Sequence, residues 1–456
     1  MERTTPDRER TPERLSGMYG WLKSTFAVAR PLAAVAGVIV FFALVDMALH
    51  GSDATFWSKQ NLQSISVQNA FVAICALGML LVIISGGIDL SAGVALALCS
   101  TILAWGIRED VGFVFAHGES VSNAVLRLKA ADDLLRDAKA EGDPGRIQNA
   151  ETHVDQRRHR LIELLHIKLS QLESLAQRSD ESEAAPVDGK LADVRNAIAA
   201  AQNSTVSMGA DPAWLRSLPN AASSAWLALL MCVGTGMLCG LLNGLFVVAL
   251  RVVPFIATLG TMTIFLGLAM IVADETSVRP SAMQIPEWLG ELSAVRPEPS
   301  WLLVSKGVWL ALILACVMAC VLRYTVFGRH VFALGSNEAT ARLCGINVPL
   351  VKITVYTFSG LLVGIAAVCF FARLNSGNPS SGTGLELKFI AAVVIGGGSL
   401  SGGRGTVLGA LAGTAIMGVI ASGSTLLGLK NPTQYIVLGI IIIAAVAVDQ
   451  LRRQRD

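Results

Sequence analysis

The sequence is short of charge. Only 15% of its 456 residues are Asp, Glu, Lys or Arg, against about 25% in a soluble domain, while 53% are apolar. That balance argues against a soluble enzyme. The formal net charge is only +2, and basic and aromatic residues do not cluster, so no nucleic-acid partner is expected. The 8 cysteines imply no disulfide framework. Seven lie in apolar runs and Cys344 in a charged loop. Cys316 and Cys320 share a helix face but have no further ligand nearby, so no metal site is expected. No GxxxxGK[ST] loop occurs, so a nucleotide site of the Walker type is missing. No nucleophile–base arrangement stands in the apolar part either, and no catalytic residue is expected.

Long apolar runs are what the chain does have. A bilayer core of about 30 Å takes roughly 20 helical residues. Residues 31–50 give a first span. The run 69–107 contains one ionisable group, Asp89, and as a single helix would be about 58 Å long, so it folds into two passes broken at Gly86-Gly87-Ile88-Asp89-Leu90-Ser91. Further spans are expected at 222–250, 255–273, 301–322, 353–372, 385–397, 405–421 and 433–448. The expected fold class is an all-α integral membrane protein with ten transmembrane helices. Basic residues set the orientation. With the N-terminus inside, cytoplasmic segments carry 15 (six of them in 1–30), and short outer loops carry seven. Both termini are therefore expected in the cytoplasm.

Residues 107–221 differ in kind. The stretch 108–216 holds 14 basic and 18 acidic residues. Val121, Ala124, Leu128, Ala131, Leu135 and Ala138 form a heptad seam. Glu141-Gly142-Asp143-Pro144-Gly145 breaks it, and Ile147, Ala150, Val154, Leu161 and Leu164 resume it. A third amphipathic piece, 189–202, follows the acidic stretch 180–188. Two or three antiparallel helices outside the membrane are expected, on the periplasmic side. His159 and His166 have no carboxylate arranged beside them, so a solvated face is expected there. The domain reading is a 1–30 cytoplasmic tail, spans one to three in 31–106, the insertion 107–221, spans four to ten in 222–449, and a 450–456 tail.

Two motifs stand out. Gly86-Gly87-Ile88-Asp89-Leu90-Ser91-Ala92-Gly93 matches Gly396-Gly397-Gly398-Ser399-Leu400-Ser401-Gly402-Gly403 at an offset of 310. Adjacent glycines suit irregular backbone at membrane depth, which survives only when buried in protein or lining a cavity. Asp89 inside an apolar run marks a functional site or an N-cap, and both readings can hold together. Asp89, Ser91 and Asn243 are the candidates for a translocation pathway. Leu400-Ser401-Gly402-Gly403-Arg404 resembles the signature element of ABC ATPases, but its membrane flanks and the missing Walker loop make that a coincidence. The second motif is the basic loop 323–352. Ser336 and Asn337 can cap a short helix through Glu338, Ala339, Ala341 and Arg342, and Gly345 can supply a left-handed stop.

The segments GGIDLSAGVALAL, LNGLFVVALRVVPFIATLGTMTIFLGLA (242–269), FGRHVFALGSNEATARLCGIN (327–347) and NPSSGTGLELKFIAAVVIGGGSLSGGRGTVLGALAG (378–413) resemble permease subunits of bacterial ABC importers for monosaccharides, in the ribose, xylose and galactose branch. The resemblance covers nearly all of 31–106 and 222–449. It implies a homodimeric permease of the inner membrane with ten spans per subunit. It further implies a cytoplasmic ATPase pair that holds ATP-Mg, so that this chain carries no cofactor, and a periplasmic sugar-binding protein. On the same grounds 336–345 is the coupling helix, with Ser336, Glu338, Ala341, Arg342 and Gly345 facing the ATPase. The insertion departs from the family pattern, which joins the third and fourth spans by a short loop. A secondary transporter is disfavoured because Asp46 and Asp89, the acidic residues well within the spans, form no pair. A membrane sensor built on the 107–221 module is the remaining alternative.

Overall fold

A computed structural model describes residues 33–48, 55–176, 181–202, 222–297 and 303–428, together with single positions at 51 and between 433 and 447. The described residues form helices α1 (Ala33–Ala48), α2 (Lys59–Ile84), α3 (Ala92–Arg108), α4 (Val111–His117), α5 (Val121–Glu141), α6 (Pro144–Ala176), α7 (Glu181–Gln202), α8 (Ala222–Ala249), α9 (Pro254–Ala273), α10 (Glu287–Glu291), α11 (Lys306–Tyr324), α12 (Val326–Ser336), α13 (Glu338–Leu343), α14 (Val348–Leu374), α15 (Leu385–Ile395) and α16 (Val407–Leu426). Six of these, α2, α8, α9, α11, α14 and α16, are long and apolar enough to cross a bilayer, and α1 and α3 are apolar but shorter. The protein is thus an all-α membrane protein. The expected span 433–448 falls largely, and the tails 1–30 and 450–456 wholly, outside the described residues.

Helix starts follow cap chemistry. Ser58 accepts the Asn61 N–H at 3.2 Å and starts α2 well before the apolar run begins. Thr325, Asn337, Asn347 and Thr406 cap α12, α13, α14 and α16 in the same way. Each gives an orphan N–H of the first turn a partner.

The segment 385–397 is shorter than a span. Its helix, α15, has 11 residues and is about 16 Å long. The chain reaches it through the stretch 375–384, which has only a single 3-10 turn at Pro379–Gly382. This stretch lies along α3, with Gly377 against Thr101 and Ala104 and Gly382 against Gly93 and Ala97. Val278 and Gly377 exchange backbone hydrogen bonds of 2.8 and 2.9 Å, so this irregular chain is satisfied inside the protein, as membrane depth requires.

Helices α2 and α14 form the buried centre, whereas α8, α9 and α11 expose apolar faces, as at Leu230, Ile271 and Ile313. Gly236 and Gly240 of α8 face Gly360 and Gly364 of α14 so closely that any Cβ would strike backbone. Small residues four apart allow this backbone approach between membrane helices.

The insertion folds on its own core. Phe113, Val121, Ala124, Leu128, Ala131, Val154, Leu161, Leu164, Leu165, Leu172, Leu191, Val194 and Ile198 pack together. This places the first heptad stripe, and the second from Val154 onward, inside a bundle of α5, α6 and α7, while Ile147 and Ala150 stay half-buried at its edge. Gly142 ends α5 in the left-handed region, and Asp143 accepts the Gly145 N–H at 2.9 Å to open α6. The third helix begins at Glu181, ahead of the expected 189. His153, His159 and His166 are exposed.

Candidate functional site

Both glycine motifs are helix stops of one kind. In the first, Gly86 and Gly87 donate to the carbonyls of Ile83 and Val82 at 3.0 and 2.9 Å. In the second, Gly397 and Gly398 donate to Val394 and Val393 at 2.9 and 2.8 Å. This is a Schellman pair at the end of α2 and again at the end of α15, with Gly86 and Gly397 at positive φ. The structural offset is therefore 311, one more than the sequence match, because the left-handed glycine that stops each helix sets the equivalence. Gly396 corresponds to Ser85.

Past the first stop, the three pathway candidates meet. Asp89 Oδ1 accepts the Ser91 N–H at 2.9 Å and the Ser91 hydroxyl at 2.7 Å. Asn243 Nδ2, from α8, donates to Ser91 Oγ at 2.7 Å and lies 3.4 Å from Asp89 Oδ1. Thr261 of α9 donates to Asn243 Oδ1 at 2.5 Å, and Thr258 accepts the Leu90 N–H at 3.1 Å. Asp89, Ser91, Asn243, Thr258 and Thr261 are all at most 3% exposed. The cluster sits less than two turns from the end of α8 and within two turns of the start of α9, so it lies inside the membrane domain near one face. Asp89 binds the entry of α3, though Ser91, not Asp89, is the residue at the cap. A buried carboxylate with this many donors is a satisfied polar group.

Sequence reasoning missed the two threonines, Tyr356 and Glu386. The Tyr356 hydroxyl is buried without a hydrogen-bond partner among the described residues and abuts Gly87. The chain has only 4 tyrosines, and one inside an apolar run was the available signal. Glu386 is a third buried acidic group of the membrane part, beside Asp46 and Asp89. It accepts the Gly384 N–H at 3.0 Å and faces Gly93.

The loop 323–352 forms α12 and α13. Asn337, rather than Ser336, is the cap of α13, accepting the Thr340 N–H at 3.0 Å, and Ser336 closes α12. Gly345 has φ +82°, as a left-handed stop requires. Ala341 is buried, while Leu343 is 88% exposed. Glu338 takes Lys352 at 2.8 Å and Arg342 at 3.3 Å. Gly335, one residue before Ser336, is wedged between the first stop and the end of the second glycine motif. A Cβ there would strike the Ile84 carbonyl and stand 2.6 Å from the Gly403 nitrogen, and Gly402 in turn lies against Gly335 and Gly86. Among the described residues no group of three or more His, Cys, Asp or Glu is placed to hold a metal ion.

Apolar helices long enough to cross a bilayer and irregular chain packed against them are features of a polytopic membrane protein. The chain belongs to the family described as branched-chain amino acid transport system / permease component, whose model matches residues 197–446, and members of this family are permeases, not enzymes. It is 38% identical over 230 residues, half of this chain and 70% of the relative, to a ribose import permease protein of Escherichia coli. It is 36% identical over 239 residues, 52% of this chain and 68% of the relative, to an L-arabinose ABC transporter permease protein of Azospirillum brasilense. It is 34% identical over 228 residues, half of this chain and 63% of the relative, to a fructose import permease protein of Rhizobium meliloti. No solved structure matches.

Proposed function

We propose that the chain is the permease subunit of an ABC importer that moves a monosaccharide across a bacterial inner membrane. The likeness to permeases named for ribose, arabinose and fructose carries this reading. ATP-Mg is held by a separate cytoplasmic ATPase, a periplasmic binding protein delivers the sugar, and two permease chains form the pore as a homodimer. Ten membrane segments, both termini inside and the insertion outside complete the topology. One observation supports opposite placement of loop and insertion: Gly335, three residues before α13, packs against Ile84 at the Gly86–Ser91 end of the α3 pass, and the bundle is held at the Arg108 end through Asp110 and Lys168. On this reading loop and bundle face opposite sides of the membrane.

The exposed helix α13, with Glu338, Arg342, Gly345 and the outward Leu343, is the coupling element. Its displacement is passed through Gly335 to the first glycine stop and to Gly402-Gly403 of the second motif, and so to Asp89, Ser91 and Asn243. Those three face the pathway only when α9 parts from the entry of α3, because they are sealed in the conformation described. Purification from native membranes, followed by reconstitution with the ATPase and binding protein that accompany the chain, tests this. ATP-dependent uptake of labelled D-ribose, L-arabinose or D-fructose is expected. Uptake of none of these, with no ATPase in the purified complex, would overturn the reading.

A further inference from the structure

The insertion is fastened to the membrane domain through buried charge. Asp110, just past the end of α3, is 6% exposed. Its carboxylate takes the Lys168 ammonium of α6 on one oxygen and the Ser224 hydroxyl of α8 on the other. Ser224 is fully buried and accepts the Gly112 N–H at 3.0 Å. The Lys168 ammonium also lies 4.7 Å from the centre of the Phe113 ring, which is part of the bundle core. An ion pair this deep holds its elements firmly, since parting the partners would leave an uncompensated charge in the interior.

The same two membrane helices are tied again at the far end, where Asn243 of α8 meets Asp89 and Ser91. Ser91 to Asp110 and Ser224 to Asn243 are both separations of 19 residues (110 − 91 and 243 − 224). Equal separations on antiparallel helices keep both ties in register. Between them Gly106 packs so closely that a methyl there would stand 2.8 Å from the Ala228 Cβ. The stacked Trp226 and Trp288 rings, 5.1 Å apart, lie two residues along α8 from Ser224, where a membrane–water boundary belongs.

We propose that α3, α8 and the α5–α7 bundle move as one rigid body, with Asp110, Lys168 and Ser224 as positioning residues that carry displacement from the Gly86–Ser91 turn to the bundle on the opposite face. The inference rests on the importer reading, because it needs a coupling loop driven by ATP. The bundle is then a moving outer surface of the transporter rather than a passive decoration.

Pairs of spin labels in a cysteine-free background of the full complex test it. Leu134 of α5, Leu230 of α8 and Ile313 of α11 are all exposed. Between the nucleotide-free and the vanadate-trapped complex, the Leu134–Leu230 distance is expected to stay constant and the Leu134–Ile313 distance to change. A change in the first, or no change in the second, overturns the proposal. Asp110→Asn combined with Lys168→Met removes the link to the bundle without stranding a charge, and leaves position 110 able to accept the Ser224 hydroxyl. It is expected to broaden the Leu134–Leu230 distribution and lower uptake per transporter molecule by about fivefold or more, the usual scale of a coupling effect, with the bundle still protease-resistant. Native uptake by this variant overturns the proposal, and if the variant fails to insert, the distances in the otherwise native chain still decide. Uptake by the unmodified complex judges the importer reading separately.

Discussion

The N–H of Gly403 donates a 2.9 Å hydrogen bond to the carbonyl of Ile84, so the end of the second glycine motif rests on the helix that the first one stops. Gly335 closes the same junction from the side of the coupling loop. Three chain segments far apart in sequence therefore share one backbone contact, with no side chain between them to absorb strain.

Gly335→Ala is expected to force this junction open, since its Cβ has no free space. Overpacking of this kind costs about 1–3 kcal/mol. ATPase should still co-purify, because α13 is untouched, while uptake per ATP hydrolysed falls. Unchanged coupling in a reconstituted assay would show that the junction yields without consequence.

Asn243→Leu removes the donor to Ser91 and Asp89 and the acceptor for Thr261. Leaving a buried polar group unsatisfied costs about 1–3 kcal/mol. The variant should unfold at a lower temperature in detergent and lose uptake, whereas Asn243→Asp should fail in a different way, by placing a second carboxylate against Asp89. A melt indistinguishable from the native protein would mean the cluster contributes no stability.

Arg342→Glu breaks an exposed pair with Glu338, which costs folding little, at most about 1 kcal/mol, but it reverses a charge on the surface offered to the ATPase. Gly345→Val meets no neighbour within 4 Å, so its penalty of roughly 1–2 kcal/mol comes from the left-handed backbone alone. ATPase co-purification should drop for the first and uptake for both. Wild-type uptake by both variants at equal expression would move the coupling role to another cytoplasmic turn.

Single cysteines at Leu134, exposed on the bundle, and at Arg342, exposed on α13, should label on opposite sides. In intact cells an impermeant maleimide is expected to reach position 134 and not 342. Labelling of 342 alone would invert the topology.

Much of the fold was legible because most membrane helices repeat one simple demand, a long apolar run, which in α2, α11, α14 and α16 opens on a side-chain cap. The heptad seam from Val121 to Ala138 and the Asp143 turn were equally readable, since both are local. The glycine repeat was visible too, though its register slipped by one until the left-handed stops at Gly86 and Gly397 were seen. Asp89, Ser91 and Asn243 were singled out one by one for polarity, but their meeting is a long-range event that no spacing announces. Thr258 and Thr261 hid in the run of α9 because a single hydroxyl barely alters hydropathy. Composition gave 385–397 its apolar character but not the shortness of its helix, because it does not record that the chain arrives by the irregular stretch 375–384.

That irregular stretch bears on how the protein is made. Residues 375–384 form no α-helix and only one 3-10 turn, and the surfaces they rest on, α3 and Val278, come earlier in the chain. Synthesis runs from the N-terminus, so the receiving surface exists before the segment emerges. A segment of this kind enters hydrocarbon only beside protein already in place. Its insertion is therefore a late step of assembly within the membrane, in which α15 follows its neighbours instead of crossing alone.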